Sequence, residues 1–361
     1  MRSISIIFSF IFIVGCTSNN QVTRIEQTNS IIKYQENTTA PFRFSNLYPK
    51  NKKYPITCKD NCYEPSPLVE CESLAENCHF IGDQVRPKVN TGFIFRWLGH
   101  ASFYIKSPDG NSLLIDPVSK QFDWPVNWAF KLSTGFERNL PSWPSANEIK
   151  GVDAVLYSHI HYDHFNKDDI GEIGNNAQYF TPLGFAEHFP NDGYSINEMA
   201  WYSKKEFAGL TINFVPAHHF SSRILVPYLY EDNDTTLWGG WVIEHQGQRI
   251  FFAGDTGYSE HFKNIQQRYV DMDVCLMPIA SYFHKDNGSW YRYVHTTPED
   301  ALTAAQELNC KVMIPWGYGN ASWKMGDHSS HSALLRLLHM HKEMNAQVLL
   351  HILNEGEEVT L

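Results

Sequence analysis

The sequence predicts an α/β protein with two β-sheets packed face to face and helices on their outer faces, an αββα sandwich. Short apolar runs recur from residue 93 onward, helix-start signals fall between some of them, and 43% of the 361 residues are hydrophobic. A chain of that length and apolarity buries a large core, in one two-layered domain or in two smaller ones.

Phe93–Leu98 and Ser102–Ile105 read as strands flanking Gly99-His100. Ser112–Ile115 is a third strand, ending at Asp116-Pro117, with a hairpin signal at Asp109-Gly110 before it. Asp153–Tyr157 is an apolar strand that runs directly into a histidine cluster. Thr211–Val215, Trp238–Glu244, Arg249–Ala253, Val274–Ile279 and Val312–Ile314 continue the β pattern. Pro298–Leu308 follows Thr296-Thr297, carries acids in its first turn and reads as a helix, as does His331–Met344.

The N-terminal part has a different texture. Arg2 precedes the apolar run Ile4–Val14, which Gly15-Cys16 closes. That run is too short to cross a bilayer as a permanent helix and fits a secretory signal, residues 1–16. Residues 17–55, rich in Asn, Thr, Gln and Lys without apolar periodicity, read as a flexible tether. Residues 56–90 form a cysteine-bearing region packed on the main domain, which takes residues 91–361. Outside the cytoplasm, Cys58, Cys62, Cys71 and Cys78 read as two disulfides in any of three connectivities. A structural zinc site is the rival reading, and the paired Cys-x-x-Cys knuckles it usually shows are missing. Cys275 and Cys310 either pair with each other or sit as buried small hydrophobes. The formal net charge of −10 excludes a global attraction for nucleic acid and on average repels an anionic lipid surface, so any lipid substrate must be met by a local patch.

The chemistry concentrates in Ser158-His159-Ile160-His161-Tyr162-Asp163-His164. The strand before it delivers the chain to a loop on which His159 and His161, two apart, point the same way. Asp163 and His164 then turn toward a neighbouring point. Imidazole with carboxylate suits a borderline divalent cation such as zinc, and equally accepts iron or manganese. A metal-free surface cluster is the plain alternative, but three histidines and an acid within six residues at a strand end rarely arise by chance.

The spacing H-x-H-x-D-H resembles the signature of the metallo-β-lactamase superfamily. Val215–Phe220, Gly254–Tyr258, Arg96–Ser102, Asp116-Pro117 and Trp238–Trp241 narrow the resemblance to the N-acylphosphatidylethanolamine-hydrolysing phospholipase D branch, over about residues 86–320. That resemblance implies the metallo-β-lactamase fold and two zinc ions. His159, His161 and His219 would hold the first, Asp163 and His164 the second, and Asp255 would bridge them. Asp163 would also orient the attacking water in hydrolysis of a phosphodiester in a glycerophospholipid substrate, with a lactonase or small phosphodiesterase on the same fold as the alternative. His218 lies one place off the family's ligand position and is expected to support the ligands from behind or to be structural. His295 matches a family histidine beside the site, where it contacts a phosphate oxygen or the leaving group, or else caps the following helix.

One position departs from the family. Its last metal histidine precedes a Trp-Gly pair, and here Pro315 stands before Trp316-Gly317. Three readings stay open: His328 reaches in from the following loop, the second site is weak and the enzyme mononuclear, or turnover has been lost while binding remains. The ending Ile13-Val14-Gly15-Cys16 resembles the lipobox of bacterial lipoproteins, with an ordinary signal peptide as the alternative. It implies lipidation at Cys16, a membrane anchor and, with Thr17 next, a place on the outer membrane facing the periplasm. The segment Phe122–Phe130 reads first as core aromatics and second as an acyl-chain element.

Overall fold

The computed structural model describes residues 20–25, 43–48, 65–73, 76–83, 92–123, 126–128, 142–190, 193–223, 233–280, 293–321 and 329–361. Cys16, Cys58, Cys62 and His328 lie outside them.

The first sheet is built from β1 (Gln21–Ile25), β4 (Ile94–Gly99), β5 (Ser102–Lys106), β6 (Ser112–Ile115), β7 (Ala154–Leu156), β8 (Gln178–Pro182), β9 (Ser195–Met199) and β17 (Glu358–Thr360). Their spatial order is β1-β9-β8-β7-β6-β5-β4-β17. The second sheet holds β10 (Lys204–Phe207), β11 (Leu210–Val215), β12 (Gly240–His245), β13 (Gln248–Phe252), β14 (Met272–Pro278), β15 (Cys310–Trp316) and β16 (Leu349–Leu350), adjacent in that order. Strands β2 (Val69–Ser73) and β3 (Glu76–Phe80) pair separately as a hairpin.

Side-chain parity explains the layers. In β6, Leu113 and Ile115 join the core between the sheets, while Leu114 joins the cluster on the outer face. In β7, Ala154 and Leu156 face inward and Val155 outward, as the period of two requires. Helices α1 (Ala146–Lys150) and α2 (Lys167–Ile173) cover the outer face of the first sheet through Ile149, Ile170 and Ile173. Helix α3 (His261–Tyr269) leads into the second sheet's cover, where α4 (Pro298–Glu307) packs on β14, β15 and α5 (Ser332–Glu343). The expected αββα order is therefore what the chain adopts.

The predicted helix starts are met by real caps. Thr297 accepts from Asp300 N while Asp300 reaches back to Thr297 N, a capping box that Pro298 at the first position completes. Asp109-Gly110 turns the β5–β6 hairpin, with Gly110 at φ +90°.

Two pieces of the expected 17–55 tether are docked, which corrects that reading. Strand β1 pairs in parallel with β9, from Gln21 beside Ser195 to Ile25 beside Met199. Its side chains are mostly exposed, so the attachment rests mainly on backbone hydrogen bonds, with Arg24 paired to Glu198 and Ile25 packed on the core, none of which apolar periodicity signals. Farther along, Phe44 is buried in the main core and Asn46 reaches His219.

Cys71 and Cys78 are bonded across the β2–β3 hairpin. Asn354 clamps Phe80 by accepting from its N–H and donating to its carbonyl. Cys275 and Cys310 are also bonded, linking β14 to the start of β15. In the aromatic segment, Phe122 is buried edge-on against Tyr162, whereas Trp128 is 62% exposed. Among the described residues, no helix is long and apolar enough to cross a membrane.

Candidate metal centre

The loop after β7 is fixed from below by one buried carboxylate. Asp116, at the end of β6 in the left-handed region at φ 42°, accepts from Ser158 N at 2.7 Å and Ser158 Oγ at 2.5 Å. It also takes His164 Nδ1 at 2.8 Å. Burial raises the Asp116 pKa against these bonds. With Nδ1 committed, His164 Nε2 faces the interior, buried and without a hydrogen-bond partner.

Three imidazole nitrogens converge on one point. His159 Nε2 lies 2.8 Å from His161 Nδ1, which lies 3.2 Å from His219 Nε2. His219 Nδ1 is 2.9 Å from the Val294 carbonyl and donates to it, leaving the Nε2 lone pair for the cluster. Two ligands held at about 2.0–2.1 Å from one cation stand about 2.9–3.4 Å apart at angles of 90–109°, so the spacing suits a shared ion. Burial, then the neighbouring histidines, pushes His159 well below its ordinary pKa. Burial likewise lowers His219 far and His161 to about 4. All three are thus neutral, as ligands must be.

A second group, His100, Asp163 and His164, lies beside the first. Asp255 stands between them, its Oδ2 3.3 Å from His164 Nε2 and 3.8 Å from His219 Nε2. Burial opposes ionisation of Asp255, but His164, His295 and His219 outweigh it and hold the carboxyl well below the usual range. Burial also opposes charge on His164, while Asp255, Asp163 and Asp116 overcome that and raise its pKa. Neutral imidazoles in the first cluster and the ionised carboxyl of Asp255 next to it, with the buried Nε2 of His164 turned toward them, fit divalent cations.

All six predicted ligands, His159, His161, Asp163, His164, His219 and Asp255, come together here. His295 joins them: its Nδ1 is 3.5 Å from Asp255 Oδ2 and its ring 5.1 Å from His219. It does not cap α4, because Thr297 does. His218 turns away, its nitrogens 2.8 and 2.9 Å from the Tyr293 and Tyr48 carbonyls. Pro315 lies in β15 opposite Met277, and among the described residues no metal-competent group takes a member from that strand.

Sequence reasoning assigned no role to His100, Asp116, Asn46 or Arg223. Asn46 Oδ1 accepts from His219 N and Trp238 Nε1 while its Nδ2 donates to His219 O. Arg223 donates to the Ile160 and Phe165 carbonyls and to Asp123, with its guanidinium 4.0 Å from the Tyr162 ring centroid. The quoted motifs also have steric content. A Cβ on Gly239 would stand 2.3 Å from Val215 O, and one on Gly254 would stand 2.3 Å from Gly239 O. Only glycine lets those backbones close around the site.

The model of the beta-lactamase superfamily domain matches residues 111–318. An uncharacterised protein of Mycobacterium tuberculosis is 30% identical over 250 residues, 67% of this chain and 62% of its own length. An N-acyl-phosphatidylethanolamine-hydrolyzing phospholipase D of Caenorhabditis elegans is 28% identical over 244 residues, 63% of this chain and 64% of that enzyme. The chain thus spans less than two thirds of both. A metal-dependent hydrolase of Thermodesulfovibrio yellowstonii is 28% identical over 246 residues, 62% of this chain and 77% of its own. Among solved structures, a possible metal-dependent hydrolase of Veillonella parvula superposes with a TM-score of 0.55 at 16% identity, covering 74% of this chain and 99% of that one. The metallo hydrolase Igni18 of Ignicoccus hospitalis gives 0.53 at 21% identity, over 74% and 98%. At those identities the likeness concerns the fold.

Proposed function

We propose, from the premise that this chain belongs to the beta-lactamase superfamily and is a metal-dependent hydrolase, that it is a zinc phosphodiesterase of the phospholipase D type. Its substrates on this reading are N-acylphosphatidylethanolamine-like glycerophospholipids. The observation that carries the hydrolytic part is the pair of ligand clusters joined by Asp255. The lipid part draws support from the name of the nematode relative.

A divalent metal bound here supplies Lewis-acid chemistry, polarising a phosphoryl oxygen and making water a usable nucleophile near neutral pH. The chain's own groups do the rest. His159, His161 and His219 would hold the first metal through neutral lone pairs, and Asp255 would add its negative charge between the two clusters. Asp163, partly open at 16% side-chain exposure, orients the attacking water by accepting its proton in a hydrogen bond. His295, half-buried beside Asp255, is placed to donate to a phosphoryl or leaving oxygen.

Lipidation at Cys16 and residence on the outer membrane, facing the periplasm, belong to the same proposal. An anchor would confine enzyme and lipid to one surface. The test is hydrolysis of N-acylphosphatidylethanolamine in vesicles against a soluble bis-aryl phosphate, using zinc-loaded full-length protein. Phosphatidic acid released from vesicles at the higher rate supports the reading. Equal rates, or none on the lipid, sink the phospholipase assignment while leaving the hydrolase intact.

A further inference from the structure

From the geometry we infer that His100 Nε2 is a ligand of the second metal and supplies the donor that Pro315 lacks. The second site is then His100, Asp163, His164 and Asp255. This rests on the metal-hydrolase reading and adds to it a residue to which no role had been given.

The placement is specific. His100 Nε2 lies 2.9 Å from Asp163 Oδ2, and His164 Nε2 lies 3.8 Å from that oxygen and 3.3 Å from Asp255 Oδ2. Two of these three separations fall in the span of about 2.9–3.4 Å for neighbouring ligands on one cation, and 3.8 Å asks only for a wider angle. The two shorter ones are close to the 2.8 and 3.2 Å of the three-histidine cluster. The ring of His100 is 5.5 Å from that of His164 and 4% of the residue is exposed.

The backbone explains how a residue between β4 and β5 comes to occupy this position. Gly99 at φ 116° and His100 at φ 49° make a tight left-handed turn at the register shift between the strands. A non-glycine residue there costs roughly 1 kcal/mol or more, and such strain gathers at functional sites. The turn is held by its own carbonyl: His100 O accepts from Trp97 Nε1 at 2.9 Å and from Gly317 N at 3.3 Å. The second bond ties it to the residue after the Pro315-Trp316 pair. His100 therefore stands next to the strand end from which the family's last ligand would come, and its ring is 6.3 Å from that of Trp316.

The rival role for His100 is purely orienting, with its N–H donated to Asp163 and no metal bond. Metal counting separates the two. Full-length protein is stripped with a chelator, loaded with zinc alone, desalted and analysed for zinc per chain. Wild type is expected to hold two equivalents. His100→Gln keeps an amide donor for Asp163 but has no imidazole lone pair, so it is expected to hold one. His100→Cys loaded with cobalt is expected to show a thiolate-to-cobalt charge-transfer band, which only a side chain bonded to the metal produces. Two zinc ions in His100→Gln, or no such band in His100→Cys, overturn the assignment. So does one zinc in wild type, although the hydrolase reading survives that result. No zinc in wild type overturns the hydrolase reading itself.

Discussion

A single imidazole decides whether the first cluster works, because His161 Nδ1 is within contact of both His159 and His219. Replacing it with alanine should remove the first metal and hydrolysis together. Partners of ligands alone are worth about 10–100-fold in affinity or activity, so loss of a ligand should exceed that. The fold should persist, since a partly open side chain on a loop carries little of the core. Unchanged turnover in His161→Ala would refute the mechanism. Asp169 gives a second residue-scale prediction, this time on stability. Burial raises its pKa from 3.8 to about 6, against hydrogen bonds from Ser119. The folded state binds that proton more tightly than the unfolded chain. Its contribution is therefore full below about 3.8 and lost as pH rises through about 6, up to about 3 kcal/mol in all. Chemical denaturation across pH 3.5–7 should show this slope in wild type relative to Asp169→Asn. Parallel curves for the two proteins would contradict it.

Elements place these residues, and Arg223 shows how. It bonds the carbonyls on both sides of the ligand loop, at Ile160 and Phe165, and pairs with buried Asp123. Arg223→Met strands the Asp123 charge and should cost about 3–5 kcal/mol in urea unfolding. Metal affinity, measured by chelator competition, should fall about 10–100-fold as the loop loosens. Adding Asp123→Asn should recover part of the stability but not the affinity. Affinity unchanged in the single variant would show that the loop needs no clamp. The same elements show what the sequence could disclose. The ligand loop was legible because coordination demands particular side chains close together, and a strand's parity aims them. His100 was not assigned, because its contact with Asp163 joins residues 63 apart and no local pattern marks it. Asn46 reaches His219 across 173 residues. Strand β1 escaped notice because an exposed edge strand is held by its backbone, and β9, Ser-Ile-Asn-Glu-Met, alternates too weakly to stand out.

For the whole molecule, metal and fold should be coupled, since ligands come from β7's loop, from Asp255 after β13 and from His219 after β11. Free metal at a hundred times its dissociation constant stabilises by about 2.7 kcal/mol. Removing it with a chelator should therefore lower the melting temperature by about 3–4 °C for each metal lost. No shift would mean that the clusters are not occupied in solution.

The docking of β1 sets a length. Cys16 and Gln21 are five residues apart, and five residues reach at most about 17 Å. Gln21 begins a strand parallel to β9, β8, β7 and β6, so it lies at the end where those strands enter. Asp116 and His159 lie where β6 and β7 leave. A domain moored through Cys16 would thus be berthed on a short leash, stern to the bilayer, with its metals at the bow. Lipids of its own leaflet would reach the site only by the domain rolling onto its side. A Gly/Ser insert between Cys16 and Gln21 should speed cleavage on the anchoring membrane and leave soluble substrates unaffected. Equal rates with and without the insert would show that the leash is not what limits access.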